Sequence, residues 1–130
     1  MAKTILIIED EISIQNIVRA FLEDAGYTVY GAGDGLEGIE IFRRCNPDLV
    51  LLDLMLPGIT GETLIEQIRS EYTMPILVIS AKGQEDKLNV LRMGADDFIS
   101  KPFDVEEVIA RVQAQLRRYT QFSIHKQEAG

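Results

Sequence analysis

Polar side chains stand where four short apolar runs of the chain end. Glu9 and Asp10 follow the first of these runs, and Asp53, Ser80 and Lys101 each follow a later one. At any single strand end a polar residue has an ordinary explanation, because the chain is leaving the core there. Three acids, a hydroxyl and an amine at four such ends are a combination that indicates a functional site.

The chemistry these groups suit is the handling of a phosphoryl group. Carboxylates gathered at one place repel one another unless a cation lies among them. Two or three carboxylates with open coordination positions suit Mg²⁺, which keeps several waters and completes its shell with phosphate oxygens. The Lys101 ammonium and the Ser80 hydroxyl could then hold a phosphoryl group bound covalently to the carboxylate of Asp53.

Five runs rich in isoleucine, valine and leucine predict the strands that would position these residues. The predicted strands are Thr4–Ile8, Thr28–Ala32, Asp48–Leu52, Pro75–Ile79 and Asp97–Ser100. The first, third and fourth runs are apolar without alternation, which is typical of interior parallel strands covered on both faces.

Segments between the strands repeat apolar residues at the spacing of an amphipathic helix. Their apolar residues are Ile14, Ile17, Val18, Phe21, Leu22 and Ala25, then Leu36, Ile39, Ile41 and Phe42, then Leu64, Ile65 and Ile68, and finally Val105, Val108, Ile109, Val112 and Leu116. Gly26 and Gly94 predict left-handed residues at helix ends, and Asp104 predicts the N-cap of the last helix.

Strands and helices that alternate in this way predict an α/β fold, doubly wound, with helices on both faces of the sheet. A five-stranded parallel sheet in the flavodoxin-like order 2-1-3-4-5 suits a length of about 120 residues, and the carboxyl ends of its strands meet in one crevice. We expect one domain over residues 1–120, and a flexible tail or the start of an interdomain linker over residues 121–130. The only histidine, His125, lies in that tail, so we expect no metal or catalytic role for it.

The composition argues against several classes of partner. Twenty-one acidic and thirteen basic side chains leave a net charge of −8, which disfavours direct binding of nucleic acid or an anionic membrane. No run approaches the roughly 20 apolar residues that span a bilayer, and no signal peptide precedes the first strand, so we expect a cytoplasmic protein. The single cysteine, Cys45, fits a reducing compartment and a buried, unreactive thiol.

Four segments of the sequence resemble the receiver domain of bacterial two-component response regulators, whose fold is called CheY-like. They are "IIEDE" (Ile7–Glu11), "LLDLMLPGITG" (Leu51–Gly61), "ISA" (Ile79–Ala81) and "GADDFISKPF" (Gly94–Phe103). The resemblance extends from Lys3 to about Tyr119.

This resemblance implies that Asp53 accepts a phosphoryl group from the phosphohistidine of a sensor histidine kinase. It also implies a bound Mg²⁺, held directly by Asp10, by Asp53 and by the backbone carbonyl of Met55, with Glu9 acting through a water molecule. Such a domain hydrolyses its own phosphate slowly and is not a turnover enzyme. Glu9 stands where aspartate is frequent in the family, and Ser80 where threonine is frequent.

The resemblance also implies a switch next to the phosphoryl group. Ser80 and Lys101 would grip the phosphate, and the Lys101–Pro102 peptide would be cis. When Ser80 turns towards the phosphate, the ring of Phe98 on the fifth strand could fill the space that the hydroxyl leaves. Phosphorylation would thus bias an equilibrium between two states.

A second stripe lies on the last helix, and its opposite charges could pair across a two-fold axis. Glu107, Arg111, Ala114 and Arg118 lie nearly opposite its apolar stripe. Glu107 and Arg111 could equally form a local pair one turn apart on a solvated helix. The set on the fourth helix, fifth strand and fifth helix resembles the dimer interface of OmpR/PhoB-type receivers; its members are Lys87, Leu88, Leu91, Asp96, Asp97, Glu107, Arg111, Ala114 and Arg118.

Regulators of the OmpR/PhoB type carry a C-terminal winged-helix DNA-binding domain, which is missing from this chain. We therefore expect the receiver fragment of a longer transcription factor; a free-standing receiver is the alternative. DNA would be bound through the missing domain and not by this segment.

Two other functions compete with the receiver hypothesis. "GDGLEG" (Gly33–Gly38) is a G-x-G-x-x-G sequence with an acid, Asp53, twenty residues after its first glycine, and it imitates the fingerprint of a Rossmann-like nucleotide-binding enzyme. The fingerprint belongs to the first strand of its unit, however, and this copy follows the second. An aspartate-nucleophile phosphatase would need an acid in place of Met55 as its general acid.

Overall fold

A computed structural model describes the backbone of residues 2–129 and the side chains of residues 2–120. Strands and helices alternate along it, with these bounds: β1 Thr4–Ile8, α1 Ile12–Asp24, β2 Thr28–Ala32, α2 Gly35–Cys45, β3 Leu49–Leu52, α3 Gly61–Arg69, β4 Ile76–Ser80, α4 Gln84–Met93, β5 Asp97–Ser100 and α5 Val105–Ala129. All five predicted strands form. Two are shifted slightly, since β3 begins one residue later than predicted and β4 lies one residue further along.

The strands form one parallel sheet in the order β2-β1-β3-β4-β5. This confirms the predicted flavodoxin-like topology. Every residue of β3 and β4 is buried, as expected for interior strands covered on both faces. The carboxyl ends of β1, β3, β4 and β5 therefore lie along one edge of the sheet.

Two apolar clusters, one on each face, hold the helices to the sheet. Val18 and Leu22 of α1 pack with Val108 and Val112 of α5 on one face, and Phe42, Leu64 and Val90 of the other three helices pack on the second face. Fully burying such an aliphatic side chain contributes about 1.5–3 kcal/mol. The sheet is thus packed on both faces next to the strand ends that the polar residues follow.

The helical apolar stripes are narrower than the sequence predicted. Ile17 and Phe21 of α1 were expected on the core face, but they are 51% and 48% exposed, and Leu36 of α2 is 65% exposed. Ile17 and Phe21 each precede a buried residue by one position, which places them about 100° further round the helix. Only the central stripe, with Val18 and Leu22, reaches the sheet.

The helix ends follow the predicted signals. Gly26 and Gly94 have positive φ angles of 101° and 121°. At the start of α5 the carboxylate of Asp104 accepts a hydrogen bond of 2.9 Å from the backbone N–H of Glu106. The sequence analysis did not single out Asn46, which ends α2 in the left-handed conformation.

The last helix is longer than expected. A flexible tail or linker was predicted over residues 121–130, whereas α5 runs from Val105 to Ala129. No glycine or proline lies between these residues, so nothing in the chain interrupts the hydrogen-bonded ladder. The side chain of His125 lies outside the described residues, and the domain boundary at residue 120 stays a prediction. No helix in the described part of the chain is both long and apolar enough to cross a membrane.

Candidate functional site

The loops after β1 and β3 bring three carboxylates together at the edge of the sheet. One oxygen atom from each of Glu9, Asp10 and Asp53 lies within 4.8 Å of the other two. Glu9 and Asp53 are buried, each 4% exposed, and Asp10 is exposed. The cluster therefore has a buried floor and one acid open to solvent.

Lys101, in the loop that follows β5, reaches into this cluster. Its Nζ atom donates hydrogen bonds of 2.7 Å to Glu9 Oε1 and 2.8 Å to Asp53 Oδ2. A third carboxylate, that of Glu11, lies 3.7 Å away. Burial on its own would lower the pKa of Lys101, but hydrogen bonds and charges from Asp53 and Glu9 outweigh it and raise that pKa above its usual value. The amine is therefore a fixed positive charge.

The environment of the cluster strongly perturbs the ionisation of Glu9. Burial raises the pKa of Glu9 to about 7, the charge of Asp53 adds to the rise, and the hydrogen bond from Lys101 opposes it. The cluster thus carries more negative charge than one ammonium group can balance. A further cation beside it would favour the ionised form of Glu9.

Both carboxylate oxygens of Asp53 are held in place. Oδ1 accepts a hydrogen bond of 3.0 Å from the backbone N–H of Met55, and Oδ2 accepts the one from Lys101. Gly61, at the start of α3, allows this loop to pack closely, because a Cβ atom there would lie 2.6 Å from the carbonyl oxygen of Asp53. Met55 is 59% exposed and has no acidic group, so no acid faces Asp53 from that position.

Ser80 lies one position further inside its strand than predicted, and Phe98 lies on the fifth strand as predicted. Ser80 is the last residue of β4, not the first residue after it, and it is fully buried. Its Oγ atom accepts a hydrogen bond of 3.2 Å from the backbone N–H of Lys82. Phe98 is 5% exposed and pairs in register with Val78 on β4. In this state both side chains point into the protein.

Charged residues of the predicted dimer set are paired within the chain. Arg111 Nη1 donates hydrogen bonds of 2.9 and 3.0 Å to the two carboxylate oxygens of Asp97. Arg111 Nε is buried without a hydrogen bond, and Glu107 Oε1 lies 3.4 Å from it. The local pair considered as the alternative for Glu107 and Arg111 is therefore present.

Asp96 of the predicted dimer set is paired within the chain, and the remaining members of the set differ in their exposure to solvent. Arg69 Nη2 donates a hydrogen bond of 2.6 Å to Asp96 Oδ2, which also accepts one of 2.8 Å from the backbone N–H of Ile76. Leu88 is 46% exposed, whereas Leu91 packs against the core. Lys87 and Ala114 are half-buried, and Arg118 is exposed.

The sequence analysis missed an ion pair beside the cluster. Lys82 Nζ donates a hydrogen bond of 3.1 Å to Glu62 Oε2, which ties the loop after β4 to the first turn of α3. That hydrogen bond is the main cause of a raised pKa for Lys82, and the charges of Glu62, Asp86 and Asp53 add to it. A loop residue and a helix residue of opposite charge, twenty positions apart, gave no periodic signal that could have revealed the contact.

The glycine-rich segment Gly33–Gly38 allows close packing of α2, and this packing needs no bound nucleotide. A Cβ atom on Gly35 would lie 2.8 Å from Ile59 Cβ, and one on Gly38 would lie 2.7 Å from Ile8 Cδ1. These glycines therefore let α2 approach its neighbours closely. Since the segment also follows β2, at the edge of the sheet, the Rossmann-like hypothesis loses its support.

The donor set fits a magnesium ion. Carboxylate and carbonyl oxygens are the ligands that Mg²⁺ prefers, and an incomplete protein shell leaves positions for water and phosphate. Asp10 is open to solvent beside the buried Asp53, so an ion could reach both.

Comparison with known proteins assigns the class. Residues 5–113 match the response regulator receiver domain family, and the chain belongs to that family. The regulatory protein VanR of Enterococcus faecium is 43% identical over 129 residues, which make up 98% of this chain and 56% of that protein. The chain thus spans little more than half the length of this relative.

Solved structures agree with the fold. A CheY-like receiver domain protein from Methanospirillum hungatei JF-1 superimposes with a TM-score of 0.88 at 26% identity, covering 93% of this chain and 98% of that one. The BeF3-activated N-terminal receiver domain of Klebsiella pneumoniae RstA has a TM-score of 0.84 at 32% identity, covering 88% of this chain and 98% of that one.

Proposed function

We propose that Asp53 is the phosphoacceptor of this receiver domain and that its donor is the phosphohistidine of a sensor histidine kinase. The observation that carries the proposal is the buried Asp53 carboxylate, held by Lys101 beside Asp10 and Glu9. Held in this way, the nucleophile meets the donor in a set orientation, so little further ordering is needed at the moment of transfer.

In the transfer, one carboxylate oxygen of Asp53 attacks the phosphorus atom. The new P–O bond forms an acyl phosphate while the P–N bond to the kinase histidine breaks, and the imidazole nitrogen keeps the electron pair. Lys101 exchanges its hydrogen bond with Asp53 Oδ2 for one with a phosphoryl oxygen. Its fixed positive charge then stabilises the negative charge of the transferring group.

We assign the metal ligands as the resemblance implies. Asp10, Asp53 and the backbone carbonyl of Met55 would bind Mg²⁺ directly, and Glu9 would act through water. The bound ion would neutralise charge on the phosphoryl oxygens. Met55 supplies no general acid, so the acyl phosphate would be hydrolysed slowly and no foreign substrate would be turned over.

The phosphoryl group would act as a switch through Ser80 and Phe98. Phosphorylation adds acceptor oxygens and negative charge at Asp53, by analogy with other phosphorylated side chains. Ser80 Oγ would leave the N–H of Lys82 to donate to these oxygens, and the Phe98 ring would move into the space. Two alternative packings of this buried pair would give two discrete states.

The output would be a homodimer formed through α4, β5 and α5. Exposed Leu88 supplies an apolar contact, and the charges of Asp97, Glu107 and Arg111 would pair across a two-fold axis. By resemblance to the OmpR/PhoB type, the whole protein would be a cytoplasmic transcription regulator that binds DNA through a winged-helix domain outside this chain. The description of the RstA neighbour as an N-terminal receiver domain is consistent with such an arrangement.

Acetyl phosphate provides the direct test. With Mg²⁺ present we expect intact-mass measurements to show one added phosphoryl group, and none on Asp53→Asn. Asp104→Asn is a matched control that should still be labelled. Asparagine also caps a helix, and Asp104 does not belong to the acidic cluster. Labelling that persists in Asp53→Asn would contradict the assignment.

A further inference from the structure

A buried glutamine joins three elements beside the acidic cluster. Gln15 is only 5% exposed although its side chain is polar, because it lies on the face of α1 that packs on the sheet. Its Nε2 atom donates hydrogen bonds of 3.0 Å to the carbonyl oxygen of Glu9 and 3.0 Å to that of Ala32. One amide group therefore links α1 to the chain at the ends of both β1 and β2.

These two acceptors lie at the last step of the β1–β2 ladder. The carbonyl of Ala32 also accepts a hydrogen bond of 3.0 Å from the backbone N–H of Glu9. The carbonyl of Glu9 belongs to the peptide unit that leads into Asp10. Holding this planar unit restricts the backbone on both of its sides, and so restricts where the carboxylates of Glu9 and Asp10 can point.

The neighbouring strand leaves room for this amide. Gly31 on β2 faces Gln15, and a Cβ atom there would overlap Gln15 Oε1 and lie 2.8 Å from Gln15 Cδ. Because the glutamine is buried, loss of its donor would remove the hydrogen bond that it gives to the Glu9 carbonyl, whereas the Ala32 carbonyl would keep the one from the Glu9 N–H. The glycine and the glutamine thus form one packing unit.

We infer that Gln15 is a positioning residue for the divalent-cation site: through the Glu9 carbonyl it sets the direction of the acids that would bind the ion. The inference rests on the proposed function, since that function places Mg²⁺ among these acids. Gln15 itself touches neither the ion nor the phosphoryl group.

The test is a Mg²⁺ titration by calorimetry, with a thermal melt of each variant in metal-free buffer. Gln15→Met keeps the length of the side chain and removes the donor, so we expect Mg²⁺ to bind about fivefold more weakly, as loss of a hydrogen bond worth about 1 kcal/mol predicts. Gln115→Met is the matched control. Gln115 is also buried, and its amide lies 3.5 Å from the carbonyl oxygen of Asp96, away from the cluster.

A purely structural role for Gln15 would lower the melting temperature of both glutamine variants and leave Mg²⁺ affinity unchanged in both; that result would overturn the inference. Gly31→Ala is a second route, because it displaces the amide while Gln15 is retained, and it should weaken Mg²⁺ binding in the same direction. Unchanged affinity in Gly31→Ala would also count against the inference. If the unsubstituted chain bound no Mg²⁺, the proposed metal site would fail first, and the inference with it.

Discussion

Two regions of this domain pair opposite charges, and the pairs differ in how far they are removed from water. In the acidic cluster the side chain of Lys101 is 13% exposed, and those of Glu9 and Asp53 are each 5% exposed. On the α5 surface Arg111 is 43% exposed and its partner Glu107 is 49% exposed. Breaking a buried pair leaves an uncompensated charge, whereas an exposed pair contributes about 0–1 kcal/mol and is easily exchanged.

This difference in burial suits the two roles that we propose, which are phosphoryl acceptance at the acidic cluster and dimerisation at the α5 surface. The site must hold its geometry before the donor arrives, and burial makes its pairs costly to rearrange. In the proposed dimer the surface would change partners, and the exposure of Glu107 lowers the cost of breaking its pair with Arg111. The bidentate pair of Arg111 with Asp97, whose side chain is 21% exposed, would be held more firmly.

Removing Lys101 should produce the largest effect. Lys101→Met leaves the carboxylates of Glu9 and Asp53 buried without their partner, and we expect a loss of about 3 kcal/mol in the free energy of unfolding in metal-free buffer. Urea denaturation at neutral pH measures it. Added Mg²⁺ should recover part of the loss, and a variant as stable as the parent chain would show that the cluster is not held by this pair.

The pH dependence of stability should be the next largest effect. The pKa of Glu9 is raised to about 7 from 4.5, so the folded chain binds a proton more tightly than the unfolded chain between these values. Stability in metal-free buffer should therefore fall as pH rises from 4.5 towards 7, and Glu9→Gln should remove that part of the slope. Denaturation midpoints across this range measure it.

Gln115→Met serves as the control for this pH series, because it changes a buried side chain that has no titratable group. It should leave the slope as it is in the parent chain. Equal slopes in the parent chain and in Glu9→Gln would mean that Glu9 does not titrate differently in the folded state.

A charge reversal on the α5 surface should have the smallest effect on the monomer. Arg111→Glu removes a half-buried, bidentate pair with Asp97, and we expect a loss of about 1–2 kcal/mol in stability. Dimerisation of the phosphorylated chain should nevertheless weaken about tenfold, since the change occurs on both sides of a two-fold axis. Sedimentation velocity measures the dimer.

Arg117→Glu carries the same change in net charge on an exposed α5 residue outside the predicted set. Its dimer should resemble that of the parent chain. An identical sedimentation profile for Arg111→Glu and the parent chain would show that dimerisation does not use the proposed α5 surface.

Much of the fold was predictable, for an identifiable reason. Unbroken apolar runs such as Leu49–Leu52 have to be covered on both faces, and this requirement leads to parallel strands with helices on either side. The gathering of Glu9, Asp10 and Asp53 follows, because parallel strands end at the same edge. Periodicity was less informative for Ile17, which belongs to the apolar set of α1 and is nevertheless half exposed.

The sequence by itself determined the alternation of strands and helices and the residue types at the strand ends, since these depend on short-range patterns of apolar and polar residues. The strand order and the crevice followed from the flavodoxin-like topology that suits a chain of this length. Only the tertiary structure decided which charges meet. Lys101 with Glu9, Lys82 with Glu62, Arg69 with Asp96, and the amide of Gln15 with two strand ends are contacts between distant parts of the chain. Their partners are selected by the distances and directions that packing imposes, and no local pattern in the chain records those.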